Sequence, residues 1–304
     1  SGIVDENYVK RLVEIQQGMA PGAKAMLLGF AYYHNEQGEV DKTKSTFHTP
    51  NAYAQRIAKQ HPELFEWIAS IHPYAADAVR QLEQASVDGA RAIKWLPSAM
   101  GINPASSKCD AFYQALVRLK MPLLAHAGTE HAVRAHGEVT GSPLSFRRAL
   151  DHGVRVIFAH CASLGESVDT DKGPNGPMVS NLSLFARLIE DPNYTDLVWG
   201  DISALTQINR DIEVIKTVIR NQHWHAHIIN GSDYPLPGIL PVFAPQWFVE
   251  EGMLLQAAVP VLSKIRQHNP LLFDFVLKRS LTVDGHAFLP IVFESRRAFE
   301  EARL

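Results

Sequence analysis

The sequence predicts an α/β fold of the (β/α)8 TIM-barrel class with its first strand missing or truncated, and three observations predict it. Short apolar runs bounded by Gly, Pro or polar residues recur at residues 25–33, 65–71, 90–96, 121–127, 154–160, 197–202 and 226–230, the signature of strands buried on both faces of a parallel sheet. The intervening segments are long enough for a helix, and strand–helix alternation implies parallel strands joined by right-handed crossovers. A chain of 304 residues that is 46% hydrophobic can bury one large core, so a single barrel domain over residues 1–304 is expected.

Each element has its own justification. The chain opens on a polar helical segment, 5–17, so a strand preceding the run at 25–33 would belong before residue 1. A helix is expected over 75–87, closed by Gly89, and another over 111–120, where Phe112, Ala115, Leu116 and Leu119 form one apolar face. Residues 168–178, rich in Asp, Gly and Pro, follow the run that ends at His160. On this fold such loops build the active site, which makes the segment a candidate lid or substrate loop. An apolar helical segment at 252–262 and a tail at 269–279 are expected to pack on the barrel or to support a homodimer.

Composition excludes several classes of partner. Formal charge is −3 and the Lys and Arg residues are dispersed, so there is no basic stripe for nucleic acid or an anionic membrane. A small-molecule substrate is expected. Cys109 and Cys161 are too few for a disulfide framework, which favours a reducing, cytoplasmic setting. No uninterrupted apolar window reaches about 18 residues, and the start is not that of a signal peptide.

Three apolar runs end on residues with metal-ligand chemistry: His126, His160 and, in Gly231-Ser232-Asp233-Tyr234-Pro235, Asp233. Two imidazoles and a carboxylate at strand ends suit one divalent cation, zinc first, with Mn, Fe or Co compatible. A lone strand-end His is commonly a satisfied core or rim group, so it is the combination with Asp233 that points to a site. In that reading His126, His160 and Asp233 are metal ligands. Asp233 and His160 also handle protons, and the ammonium of Lys94 meets a substrate carboxylate or oxyanion. Alternatively, Lys94 neutralises Asp201, which is itself expected to be structural or to support a ligand. His72 is expected to shape a loop, and Cys161 to act as a small buried hydrophobe pointing away from His160. His131, Arg134 and His136 are expected in a solvated loop or against an anionic substrate. The His223, His225 and His227 cluster is expected to be structural, and Tyr32, Tyr33, Trp95 and Tyr234 mostly to pack.

Six pieces in order resemble the amidohydrolase superfamily, in its amidohydrolase-2 branch of metal-dependent hydrolases and non-oxidative decarboxylases. They are Ile71-His72-Pro73, Gly89-Ala90-Arg91-Ala92-Ile93-Lys94, Leu124-Ala125-His126-Ala127-Gly128, Phe158-Ala159-His160-Cys161, Gly200-Asp201-Ile202-Ser203 and Gly231-Ser232-Asp233-Tyr234-Pro235. The resemblance implies that His126 and Asp233 hold a divalent metal and that His160 binds it or activates its water. It also implies hydrolysis of a C–O or C–N bond in a small carboxylated lactone or amide, with decarboxylation of an aromatic or unsaturated acid as the alternative. The family's His-x-His pair on the first strand is absent, as the strand count requires. That departure implies either a native N-terminus beyond this sequence or a barrel that binds metal poorly, the extreme being a metal-free, non-catalytic barrel.

Overall fold

The computed structural model describes residues 2–45, 47–129, 141–240 and 242–300, and in it all seven predicted strands form: Ala25–Leu28, Phe65–Ile68, Ile93–Trp95, Leu123–His126, Val156–Ala159, Val198–Asp201 and Ile228–Ile229. Each is shorter than its apolar run. The first keeps its ladder to Gly29, whose N–H donates to the Ile68 carbonyl at 2.9 Å, and ends where the Asn51 side chain takes both backbone groups of Ser70. From there the chain turns away, and Phe30 pairs with Thr49 instead. The fold is α/β with parallel strands in (β/α)8 order, and no eighth strand of that series is found among the described residues.

Contacts cluster in two units, each assembled from separated stretches of chain. The larger comprises Met26–Gln60, Phe65–Asp201 and Arg296–Leu304. In it Ile93–Trp95, Leu123–His126, Val156–Ala159 and Val198–Asp201 form one parallel ladder, with Lys94 beside Leu124, Leu124 beside Ile157, and Ile157 beside Trp199. A parallel bridge from Ala69 to Ile93 brings in the strand Phe65–Ile68. Helices Ala78–Val87 and Asp110–Arg118 follow strands as expected, the first ending at Gly89 with a φ of 85°. Phe112, Ala115 and Leu116 of the second are buried. Phe158 stands edge-on to Phe146 and Phe185, with ring centroids 5.3 and 5.6 Å away, and all three rings are fully buried.

Residues 169–177 form the expected loop, which is the tip of a hairpin. Glu166–Val168 pairs antiparallel with Met178–Ser180. Between them Asp169 receives both Arg187 terminal nitrogens at 2.7 Å, and Asp171 pairs with Arg147 and with Arg187. The Arg187 guanidinium holds the Asp169 carboxyl below the usual range.

The second unit comprises Ser1–Ala25, His61–Leu64 and Ile202–Ser295. Its strand, Ile228–Ile229, is joined by Ile202, whose N–H donates to the Ile229 carbonyl at 2.9 Å. Helix Ile212–Arg220 is capped by Asp211, which accepts from Glu213 N–H, and it buries Val214, Ile215, Val218 and Ile219. The helix expected at 252–262 begins later, at Ala258–His268: Gly252, with a φ of 68°, terminates the preceding turn. Asn269 then caps Pro270–Ser280 by accepting from Leu272 N–H. No helix among the described residues is long and apolar enough to cross a membrane.

The Phe158 cluster sets the spacing between sheet and helices. Phe158→Ala should therefore cost about 3–5 kcal/mol, as large-to-small changes in close-packed cores do, read as a lowered urea midpoint at unchanged slope.

Candidate functional site

Alternation along the ladder decides which side chains share a face. Trp95 stacks on Phe112 and Tyr113 of the helix Asp110–Arg118, at 5.5 and 5.8 Å, so Lys94 points to the opposite side of the sheet. His126 lies two residues beyond Leu124, the register partner of Lys94, and therefore shares that face. Both are buried, Lys94 at 6% and His126 at 8% exposure. The turn after His126 depends on Gly128, whose φ is 95° and where a Cβ would sit 2.7 Å from the Leu164 carbonyl.

His160 arrives by a different route. The strand ends at Ala159, and His160, Cys161 and Ala162 have φ of 57°, 51° and 51°, a left-handed turn of three residues that each carry a Cβ. Such geometry costs roughly 1–2 kcal/mol per residue and persists only where the surroundings over-determine it. Asp201 does so from the next strand: its Oδ1 accepts the His160 N–H at 3.1 Å and its carbonyl accepts the Cys161 thiol at 3.2 Å. The turn brings the His160 ring to 5.4 Å from that of His126, at 71°, with Nδ1 3.9 Å from Asp201 Oδ1. Cys161 is buried as expected, but through this turn rather than by strand alternation. Asp201 is the positioning group for His160.

Asp233 belongs to the other unit. It is exposed, has a φ of 53°, and precedes a cis Tyr234–Pro235 bond. The loop leading to it is anchored by a pair the sequence reading did not single out: Lys278, fully buried, donates to Gly231 O at 2.7 Å, Asn230 Oδ1 at 3.4 Å and Asp274 Oδ2 at 2.6 Å. The available signal was an i,i+4 Asp–Lys pair inside an otherwise apolar helix. Ser295 adds a second clamp, accepting from Asn230 N–H at 3.0 Å and donating to its carbonyl at 2.7 Å.

The remaining candidates resolve individually. His72 is 2% exposed; its Nδ1 accepts from Tyr74 N–H at 3.1 Å and its Nε2 donates to the Met100 carbonyl at 2.8 Å. Burial, helped by the neighbouring His34, pushes its pKa down to about 3. His225 is likewise structural, accepting from Leu289 N–H and donating to Val218 O. Trp95 packs and donates to Ile71 O, while Tyr234 stands 6.1 Å from Tyr8. His131, Arg134 and His136 lie outside the described residues.

The family model described as Amidohydrolase, of the amidohydrolase-2 branch, matches residues 16–238. The chain belongs to that family. Its members are enzymes, hydrolases and decarboxylases among them, and metal-dependent. No curated protein matches the sequence. Among solved structures, the chain is similar to a probable 2-pyrone-4,6-dicarboxylic acid hydrolase from Acinetobacter baumannii, with 15% identity and a TM-score of 0.47 over 76% of this chain and 73% of the other. It is also similar to a 5-carboxyvanillate decarboxylase from Novosphingobium aromaticivorans with bound manganese, with 13% identity and a TM-score of 0.43 over 74% of this chain and 70% of the other.

The donor chemistry of His126 and His160 fits the family's metal. The two imidazoles meet at a spacing that lets them face one ion. Three protein ligands are usual at a catalytic zinc centre, and among the described residues no three His, Cys, Asp or Glu side chains form a group that could hold a metal.

Two measurements follow from these contacts. Lys278→Met leaves Asp274 buried without its cation and should cost about 3–5 kcal/mol in urea unfolding, whereas replacing both by Leu should restore most of it. His72 stays neutral when folded but protonates near 6.5 when unfolded. Its contribution to stability is thus complete above pH 6.5 and is lost as pH falls from there towards 3. A His72→Gln variant should show a shallower fall of the urea midpoint across that window.

Proposed function

We propose that the chain is a metal-dependent hydrolase that cleaves a C–O or C–N bond in a small carboxylated substrate, a lactone or an amide. The observation that carries this reading is the meeting of the His126 and His160 rings at 5.4 Å, with Lys94 on the same buried sheet face as His126, in a chain of this family. His126 and His160 would be ligands of one divalent cation, zinc in preference to Mn, Fe or Co, with Asp233 the third ligand that membership of this family leads us to propose. When bound, such a cation polarises a carbonyl and lowers the pKa of water to roughly 7.

The side chains then divide the work. The Asp233 carboxylate takes the proton released by the attacking water. His160, held by Asp201, passes a proton to the leaving oxygen or nitrogen. Lys94 supplies a compact positive charge for the substrate carboxylate, and burial strengthens that attraction by excluding water. In support of a cytoplasmic setting, Cys109 and Cys161 are both buried thiols. One domain over residues 1–304 and a homodimer complete the reading.

The test combines metal analysis with two assays. Purified protein should contain one stoichiometric transition metal, open lactone rings and release no carbon dioxide from aromatic acids. Carbon dioxide release without ring opening would replace this reading with the decarboxylase one. Protein without metal, inactive in both assays after reconstitution, would make it a non-catalytic barrel. His126→Asn and Asp233→Asn should lose metal together with activity. His160→Asn, which removes a ligand as well as a proton-transfer group, should weaken metal retention and lower kcat by at least about 10²-fold.

A further inference from the structure

The larger unit contains a cavity of about 240 Å³ that involves none of the residues assigned above to metal or proton transfer. We propose that this cavity, walled by Phe30, Tyr32, His34, His48, Ser70 and His72, binds an uncharged planar ring that donates a hydrogen bond through N–H or O–H.

Shape is the first argument. Four flat rings border the space: His48 is stacked on Tyr32 with centroids 3.6 Å apart and planes 14° apart, and His34 is tilted against His72 at 4.1 Å and 33°. Rings arranged this way offer planar walls, against which another π-system packs better than a puckered one.

Charge is the second. Among the described residues no Asp, Glu, Lys or Arg lines the cavity, and Lys42 lies beside it only through the Tyr32 ring, 5.4 Å from that ring's centroid. Burial lowers the proton affinity of both His34 and His72, so these imidazoles are neutral at neutral pH. A carboxylate entering here would lose hydration with no cation in the described lining to offset the loss. This distinguishes the cavity from a site built for the carboxylated substrate proposed above.

Hydrogen bonding is the third. Most polar groups of the wall are already satisfied within the protein. Asn51 closes on Ser70, accepting from its N–H at 2.8 Å and donating to its carbonyl at 2.9 Å. The Ser70 hydroxyl accepts from Ala31 N–H and donates to Lys94 O. Both nitrogens of His72 are committed. Two ring nitrogens remain without a partner among the described residues. His34 donates through Nδ1 to the Tyr32 carbonyl at 3.1 Å, which fixes the proton there and leaves a lone pair on Nε2. His48 Nδ1 is buried and unsatisfied. Buried unsatisfied groups are rare in native folds and call for an explanation. A ligand N–H or O–H donated to these imidazoles supplies one.

The probes are phenol, 2-pyridone, cyclohexanol and benzoate, titrated at neutral pH and followed by saturation-transfer NMR with imidazole nitrogen shifts as the site readout. Phenol or 2-pyridone should bind in the millimolar range, shift His34 Nε2, and persist after chelator treatment. Whichever of the two binds identifies the donor as O–H or N–H. Cyclohexanol and benzoate should bind at least about tenfold more weakly. His34→Phe keeps the flat wall but removes the acceptor, and should weaken binding about tenfold, as loss of one buried hydrogen bond does. Ala75→Leu, which fills the cavity while replacing no histidine, should abolish binding and decides the matter if the first variant fails to fold by circular dichroism. The proposal is overturned by equal binding of benzoate, by loss of binding with the chelator, by unchanged binding in Ala75→Leu, or by no binding of either flat donor.

Discussion

The site in the larger unit depends on the register of one parallel ladder. Four strands hydrogen-bond with Lys94, Leu124, Ile157 and Trp199 at one level, so His126 and the end of the strand at Ala159 are level too. Because side chains alternate across the sheet, a slip of one residue would turn Lys94 or His126 into the helix layer and would move Trp95 or Phe158 out of it. The helix layer resists such a slip: Trp95 and Phe158 fill it with buried rings. The energy that fixes the register is hydrophobic and lies on one face of the sheet, while the chemistry lies on the other.

Register alone does not bring His160 to His126. That takes the left-handed turn at His160–Ala162, stabilised by Asp201 through one N–H and one thiol. Asp201 is therefore the link between the fold and the arrangement of the histidine pair: it offsets the backbone strain that aims the ring. In the other unit the same logic is carried by a buried ion pair. Lys278 and Asp274 lie on a helix after the matched family region, yet they hold the Gly231 carbonyl two residues before Asp233. A buried pair of this kind adds little net stability compared with well-packed apolar side chains. What it does here is hold the loop before a carboxylate in one conformation.

The positions of the strands were legible in the sequence because uninterrupted apolar runs bounded by turn residues admit few other structures. Residue types at their ends marked His126, His160 and Asp233 as candidates for the same reason. Strand lengths were not legible, since the first ladder ends where Asn51, a neighbour distant in sequence, takes the backbone groups of Ser70. The loop at residues 168–178 was legible in its Asp, Gly and Pro content, but its ion pairs with Arg147 and Arg187, which arrive from other segments, were not.

By itself, the sequence determined the α/β class, the order and approximate place of seven strands and the residue types available for chemistry, because those follow from local apolar periodicity and from composition. Only the tertiary structure decided that His160 is aimed by Asp201, that Lys278 secures the approach to Asp233, and that His34, His48 and His72 gather around a cavity. Those outcomes rest on pairings between residues remote in the chain, with left-handed backbone at His160, and no local pattern encodes them.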